Sequence, residues 1–291
     1  MSSYVKPNTV SDDMGGIGNE LDSRMKDIFT LLNYMPEGLH TCLDVGFGKG
    51  QISYEMKRRG MQVTAIGLEI ESYGADLSKA KDEQINIIEA DVTNMPFAGQ
   101  SFDCVIASHI LEHVPNMGLA LQEIRRVVDD DGWFLLFIPR WTEFVCAGHI
   151  NTGWNLGQLI YVLCVNGFDV KNGNFIEYGY SLCAFVKKSR LELPPLRGDR
   201  GDIEILSRNG FLPFKVSNQY NNDGYNGGKI IAVNWKHIEI FKQRESNKKN
   251  EKLVLILYKI LVKLLGEARV AKIGELFIRN TENSLINPKS V

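Results

Sequence analysis

An aspartate followed by three alternate glycines is the part of this sequence best suited to hold a ligand: Asp44, Gly46, Gly48 and Gly50. Glycine lets a backbone turn sharply and approach a ligand closely, because it has no side chain that blocks either. An acid directly before such a loop suits a ligand with positive charge better than one that presents phosphates. Dinucleotide-binding folds use G-x-G-x-x-G rather than this G-x-G-x-G spacing, so a nicotinamide-dependent dehydrogenase is a disfavoured alternative.

Histidines at the expected carboxyl ends of strands are the candidates for acid–base chemistry. His109 directly follows an apolar run that ends at Ser108, and His149 lies in the connection after the next apolar run. A histidine can take a proton from an acceptor group near neutral pH. We therefore predict His109 and His149 as candidate general bases. For each of them the alternative is a purely structural hydrogen bond.

The string His109-x-x-Glu112-His113 also fits a helical zinc-peptidase pattern, in which such residues share one face. A peptidase would need a third ligand, which the sequence does not identify. The five cysteines show no C-x-x-C spacing, which argues against a structural zinc site. The residues alone therefore predict no resident metal.

The elements that must position these residues alternate between strands and helices. Apolar or alternating runs predict five successive strands at 41–45, 62–66, 85–91, 102–108 and 133–138. Helical patterns separate several of them, and further strands are expected after Phe168 and at 181–187, with candidates at 212–216 and 229–233. This alternation predicts an α/β fold with a doubly wound, mostly parallel sheet. Ligands of such sheets bind outside the carboxyl ends of the strands.

Three further motifs follow the glycine loop in a recognisable order: Ser101-Phe102-Asp103, Leu111-Glu112-His113-Val114-Pro115 and Glu123-Ile124-Arg125-Arg126-Val127. Together with the loop they resemble the class I S-adenosylmethionine-dependent methyltransferases (type 11-like), over about residues 40–187. The resemblance implies a Rossmann-like methyltransferase fold with a seven-stranded sheet. It also implies S-adenosyl-L-methionine as the cofactor and methyl transfer as the reaction.

Cofactor contacts follow from the same resemblance wherever the positions match. Asp44 and the glycine loop would hold the methionine end of the cofactor. Asp91 and the backbone of Val92 would lie at the adenine, and Ser108 near the methyl group. The family's acid at the end of the second strand falls here on Gly67.

Glu69 is the nearest acid to that position. We expect it to take the ribose hydroxyls, because alternate residues of a strand share a face. The alternative is a solvent-facing residue in the first turn of a helix.

The segment around the L-E-H-V string also resembles that of some ubiquinone-pathway O-methyltransferases. Those enzymes hold magnesium with acids and a histidine at the matching positions. Here His109 stands in the place of the first acid. The resemblance therefore leaves open a divalent metal at His109, Glu112 and His113.

Composition and chain ends indicate how the rest of the chain is organised. The 291 residues carry a formal net charge of −2, which argues against a nucleic-acid partner. Residues 1–20 lack a signal-peptide pattern, and cysteines within predicted strands favour a cytoplasmic setting. We predict four parts: a mobile arm (1–18), the S-adenosylmethionine-binding domain (19–188), an accessory acceptor-shaping region (189–247) and a basic amphipathic helical tail (248–291).

Residues 248–265 alternate apolar and basic positions at helical spacing. Such a helix suits the inner face of a membrane, a partner helix or a second copy of the chain. The alternative is packing on its own domain. Residues 217–228 form a polar loop with Tyr220 and Tyr225, which could stack on a flat sugar face.

The sequence therefore predicts an enzyme that O-methylates a saccharide, a glycan or another small polar acceptor. The alternative is a non-catalytic cofactor-binding module that recruits a partner through its C-terminal helix.

Overall fold

The computed structural model describes residues 23–141, 148–198, 201–216 and 230–235. The chain divides into two compact units, Met1–Trp235 and Lys236–Val291, and every described residue belongs to the first. The predicted arm (1–18), the tyrosine-bearing loop (217–228) and the basic tail (248–291) lie outside the described residues.

One mixed sheet organises the described part of the chain. Its strands are β1 Thr41–Val45, β2 Gln62–Gly67, β3 Asn86–Glu89, β4 Phe102–Ser108, β5 Val128–Pro139, β6 Asn174–Tyr178, β7 Ser181–Val186 and β8 Ala232–Val233. They lie in the order β3-β2-β1-β4-β5-β7-β6-β8. The first five of these pair in parallel, and β7 is antiparallel to both β5 and β6. The α/β, doubly wound, mostly parallel sheet expected from the sequence is thereby confirmed.

Six helices connect the strands or precede them: α1 Ser23–Leu32, α2 Gln51–Arg58, α3 Leu77–Asp82, α4 Met117–Val127, α5 Leu156–Val165 and α6 Gly201–Arg208. Local sequence explains where several begin. Asn155 accepts a bond from the Gln158 backbone while the Gln158 side chain accepts one from the Asn155 backbone, which starts α5. Asn116 starts α4 in a similar way by accepting from the Leu119 backbone. Among the described residues, none of the helices is long and apolar enough to cross a bilayer.

Four sequence-based expectations differ from the structure in detail. The third strand ends at Glu89, so Asp91 lies in the loop beyond it. The fifth begins at Val128, five residues earlier than expected. The 212–216 segment forms no strand, and the strand expected within 229–233 is reduced to two residues, which give the sheet an eighth strand at its edge. Pairing with neighbouring strands sets where each strand begins and ends, and the periodicity of one segment does not reveal that pairing.

The string from His109 to His113 is not helical, contrary to the peptidase pattern. His109 has a left-handed backbone (φ 56°), and only Leu111–His113 form a short 3-10 turn. His109 and His113 therefore do not share a helix face, because the chain changes direction between them.

Residues 201–216 pack into the same core as the central sheet. Leu206, Phe211 and Leu212 are buried in one apolar cluster with Phe134 and Phe175 of the sheet. Asp202 is also buried and accepts bonds from the Arg197 and Gly198 backbone, which shape the turn into α6.

We expect Leu206→Ala to lower the free energy of unfolding by about 2–5 kcal/mol, because the change leaves a cavity in a shared core. Denaturant unfolding followed by circular dichroism measures this as a shift of the main transition. Leu191→Ala is the matched control: Leu191 is 58% exposed, and we expect a change within about 0.5 kcal/mol. Equal effects of the two changes, or an early transition confined to part of the signal, would contradict integration of 201–216 into the core.

Candidate active site

The loop between β1 and α2 is built on glycines in left-handed conformations. Gly46, Gly48 and Gly50 have φ values of 91°, 51° and 79°. The backbone N–H groups of Gly46 and Phe47 both donate to the Ile66 carbonyl, at 2.8 and 2.9 Å, so the loop is held against the end of β2. The closest atom to a Cβ built at Gly48 is a backbone oxygen 3.9 Å away. The surface above Gly48 is therefore open to a ligand.

Gly46 is required for a second reason, the approach of the loop that follows β4. A Cβ at Gly46 would lie 2.1 Å from Cδ1 of Ile110. The Ile110 side chain therefore packs directly on the Gly46 backbone, and no other residue type fits there without displacing it. This contact ties the glycine loop to the segment that carries His109, Glu112 and His113.

Asp44 closes the inner end of the loop as a buried acid. It is 1% exposed, and its Oδ2 accepts a 2.6 Å bond from the Ser53 hydroxyl on α2. Among the described residues, Oδ1 has no hydrogen-bond partner. Burial raises the pKa of Asp44 to about 7, although the bonds from Ser53 oppose the rise. A buried carboxylate with one unsatisfied oxygen fits a cationic ligand group such as the ammonium of a methionine moiety.

Asp91 and Val92 lie in the loop beyond β3. Asp91 is exposed, and its Oδ1 accepts from both the backbone and the hydroxyl of Thr93, each at 2.8 Å. No described residue bonds its Oδ2, so one oxygen is held in place and the other can accept from a ligand amino group. The Val92 side chain is buried in the apolar core and thereby anchors the backbone next to Asp91.

Glu69 does not lie on a strand, contrary to the reasoning that placed it there. β2 ends at Gly67, and Glu69 has a left-handed backbone (φ 47°) before a short 3-10 turn, Ile70–Tyr73. A Cβ at Gly67 would lie 3.1 Å from Ile70, whose side chain therefore takes part of the space of the family's usual acid. The ribose role of Glu69 remains a prediction, without the support of strand alternation.

Glu89 is a second acid at this place, and sequence reasoning missed it. It pairs with Gly67 in the sheet register, and its Oε1 lies 3.5 Å from the Glu69 nitrogen. Both acids line a groove of about 750 Å³ that runs along the β3 edge. The position of Glu89 at the carboxyl end of the third strand was the signal by which the sequence could have identified it.

Ser108 ends β4, and His109 follows it with both ring nitrogens close to polar partners. Nε2 lies 3.0 Å from the Ser181 hydroxyl, and Nδ1 lies 3.2 Å from Oε1 of Glu112. The ring also stacks on Tyr180, and only 7% of the side chain is exposed. These contacts hold the His109 ring in one orientation and leave it little access to an acceptor.

His149 lies next to His113 and close to Glu112. The two imidazole rings meet edge to face with centroids 4.8 Å apart. His113 is exposed and His149 half-buried, so both rings border solvent. The structure thus brings the second predicted base, His149, to the string that contains the first.

The two tryptophans that follow β5, Trp141 and Trp154, differ in exposure. Trp154 is 9% exposed and donates to the Asn151 carbonyl, which is the arrangement of a core residue. Trp141 is 62% exposed, and Ile150 is 60% exposed. Arg140 pairs with Glu177 at 3.0 Å. Trp141 is therefore the flanking aromatic that offers a face to a ligand.

Part of this chain is similar in sequence to known methyltransferases. Residues 43–136 match the family model described as a methyltransferase domain. A sterol 4-C-methyltransferase of Caenorhabditis elegans is 29% identical over 109 residues, which are 35% of this chain and 32% of that protein. A demethylmenaquinone methyltransferase of Porphyromonas gingivalis is 32% identical over 102 residues, 33% of this chain and 42% of that protein. A crystal structure of a Pyrococcus horikoshii protein superposes with a TM-score of 0.48 at 17% identity, covering 57% of this chain and 90% of that one.

The matched segment contains the glycine loop, Asp44, Asp91, Ser108 and the L-E-H-V string. The chain therefore contains a class I S-adenosylmethionine-dependent methyltransferase domain, and S-adenosylmethionine is the cofactor of that class. It spans less than half the length of the two curated relatives named above.

We expect Asp44→Asn to stabilise the cofactor-free protein at pH 8 and to abolish its stabilisation by cofactor. The folded chain holds the Asp44 proton up to about pH 7, whereas an unfolded aspartate loses it near pH 4. The charged carboxylate therefore destabilises the fold increasingly as pH rises from about 4 to 7, and fully above 7. Asparagine removes this penalty, on the order of 2–4 kcal/mol, but cannot neutralise a cation.

Thermal unfolding at pH 5 and pH 8, with and without S-adenosylhomocysteine, measures both effects. Asp82→Asn, at an exposed position, is the control that should change neither. A retained cofactor shift in Asp44→Asn, or the same Tm change at both pH values, would contradict the assignment.

Proposed function

We propose that this chain transfers a methyl group from S-adenosylmethionine to a hydroxyl oxygen of a small acceptor. The observation that supports the cofactor half most directly is Asp44, a buried carboxylate with one unsatisfied oxygen beside an open glycine loop. When bound, S-adenosylmethionine supplies an electrophilic methyl group and leaves as the neutral thioether.

The residues around the loop would hold the cofactor at three points. Asp44, kept in position by Ser53, would receive the ammonium group, and the open backbone at Gly48 would admit the methionine chain. Asp91 would accept from the adenine amino group, and Glu69 would serve the ribose. Neutralisation of Asp44 by a cationic group removes the cost of its burial, so cofactor binding also stabilises the fold.

On the acceptor side, we assign the role of general base to His149 rather than to His109. His109 is buried, with contacts at both ring nitrogens, so its ring has little access to an acceptor. His149 borders solvent in a loop after β5, near the exposed faces of Trp141 and Ile150 along the chain. As the general base, His149 would take the proton from the acceptor hydroxyl during methyl transfer.

Trp141 and Ile150 favour an acceptor with a flat or apolar face next to its hydroxyl group. Sugars and aromatic alcohols both present such a face to tryptophan. The two relatives are named for a sterol and a demethylmenaquinone, which favours the apolar alternative. A saccharide or glycan acceptor, suggested by the 217–228 loop, remains a prediction from sequence.

The wider organisation belongs to the same proposal. Residues 189–247 would shape the acceptor site beside the cofactor domain (19–188), with 1–18 as an arm. The basic tail (248–291) would hold the enzyme at the cytoplasmic face of a membrane, or bind a partner helix or a second copy of the chain. The support for this is the spacing of apolar and basic residues in 248–265.

Calorimetric titration with S-adenosylmethionine, S-adenosylhomocysteine and NAD tests the cofactor half. We expect micromolar binding of the first two, no binding of NAD, and loss of binding by at least about tenfold in Asp44→Asn and Asp91→Ala. Absence of binding to well-folded protein, or binding of NAD alone, would overturn the proposal. Cofactor binding with no turnover on any acceptor would favour the non-catalytic module instead.

An acceptor screen with phenols, sterols and monosaccharides then tests the assignment of His149. We expect kcat of His149→Ala to fall by about 10²-fold or more, with the cofactor Kd unchanged. His109→Gln should lose less activity and more thermal stability, because its ring is buried. The reverse pattern, with His109 essential and His149 dispensable, would contradict the assignment.

A further inference from the structure

Three side chains from two loops form a cluster with the ligand types of a transition-metal site. They are Glu112 and His113, after β4, and His149, after β5. One carboxylate oxygen and one nitrogen from each ring all lie within 4.8 Å of one another. We propose that Glu112, His113 and His149 bind a divalent first-row transition-metal ion, such as Zn²⁺, through two imidazoles and one carboxylate.

The carboxylate of Glu112 is the first observation that points to a bound cation. Glu112 is 1% exposed, and neither oxygen has a hydrogen-bond partner among the described residues. The nearest polar group, Nδ1 of His109, is 3.2 Å from Oε1 but lacks hydrogen-bond geometry. A buried carboxylate without a compensating partner destabilises the folded protein. A metal ion supplies the missing compensation.

The ring of His113 is the second observation, because its partner determines which nitrogen is available. Nδ1 lies 2.9 Å from the Gly148 carbonyl oxygen. A carbonyl only accepts, so Nδ1 carries the proton and Nε2 presents its lone pair. Metal-binding histidines in proteins are usually held in this way, with the second nitrogen donating to a carbonyl or carboxylate.

The two loops are already joined by hydrogen bonds around the cluster. The backbone N–H groups of Ile150 and Asn151 donate to the Glu112 carbonyl, at 2.7 and 3.0 Å. The Asn151 side chain donates to the carbonyls of Leu111 and Val114. His149 is therefore held next to His113 before any ion binds. The candidate ligand atoms lie within 4.8 Å of one another.

His109 is not a ligand in this proposal, although the resemblance to magnesium-dependent methyltransferases implied it. Its Nε2 lies 3.0 Å from the Ser181 hydroxyl and its ring stacks on Tyr180. Its Nδ1 lies 3.2 Å from Oε1 of Glu112 without forming a hydrogen bond. In its place the proposed ligand set contains His149, which comes from the loop after β5.

The consequence for the reaction rests on the proposed function. Three protein ligands leave at least one coordination position, which the hydroxyl oxygen of the acceptor can occupy. A bound divalent ion lowers the pKa of a coordinated hydroxyl, so its proton passes to solvent and the oxygen remains as the nucleophile. His149 would then act on the acceptor through the ion rather than by taking the proton itself.

Titration of the untagged full chain with Co²⁺, after dialysis against a chelator, tests the site directly. Four- or five-coordinate Co²⁺ bound by imidazole and carboxylate absorbs visible light more strongly, and at longer wavelength, than the octahedral ion in water. We expect one equivalent to bind, Zn²⁺ to displace it, and His149→Ala and Glu112→Gln each to weaken binding by at least about tenfold. His40→Ala and His109→Gln should keep the wild-type stoichiometry.

Glu112→Gln also provides a check on folding, because removing a buried charge should not lower the Tm of the metal-free protein. Equal Co²⁺ affinity in His149→Ala and His40→Ala, or binding lost only in His109→Gln, would overturn the proposed ligand set. Failure here is distinguishable from failure of the methyltransferase proposal, because S-adenosylhomocysteine binding is measured separately on the metal-free protein. Cofactor binding without Co²⁺ binding would remove only the metal site.

Discussion

The close approach of two loops at the carboxyl edge of the sheet is the constraint on which the site depends. β1 and β4 are neighbours in the sheet, so the loops that follow them must share one space. Ile110 uses that space by packing where a side chain of residue 46 would stand. Only glycine permits this contact. It places the residues of the acceptor side next to the loop that would hold the cofactor, and it does so within the apolar core rather than through polar bonds.

Two buried carboxylates then give the site its electrostatic character. Asp44 and Glu112 are each 1% exposed and each has at least one oxygen without a partner in the described part of the chain. A fold tolerates such groups only when the rest of its core offsets the desolvation. The extensive core of apolar strands β4, β5 and β7 provides that reserve. Both acids therefore destabilise the ligand-free protein, and each would be relieved by a cation: an ammonium group at Asp44 and a metal ion at Glu112.

Much of the fold could be predicted from periodicity and turn residues. Four of the first five strands were expected within two residues of their start, because their apolar runs are short and bounded by turns or polar residues. β5 was the exception, since the acidic run Asp129–Asp131 hides its first half. The β4–β5 register shifts across those residues, between the pairs Phe102–Val128 and Cys104–Trp133, so the strand there is irregular. The two-residue strand β8 has too little pattern of its own to be recognised.

The sequence by itself determined the class of the domain. It also predicted Asp44 and the glycines as the cofactor side, because their spacing encodes a local backbone geometry. It also identified His109 and His149 as polar residues at strand ends. Only the tertiary structure decided their different surroundings. Burial against Ser181 and Tyr180 restricts His109, while the bonds between two distant loops bring His149 to His113 and Glu112. Such long-range contacts arise from the packing of the whole sheet, and no local pattern in the chain records them.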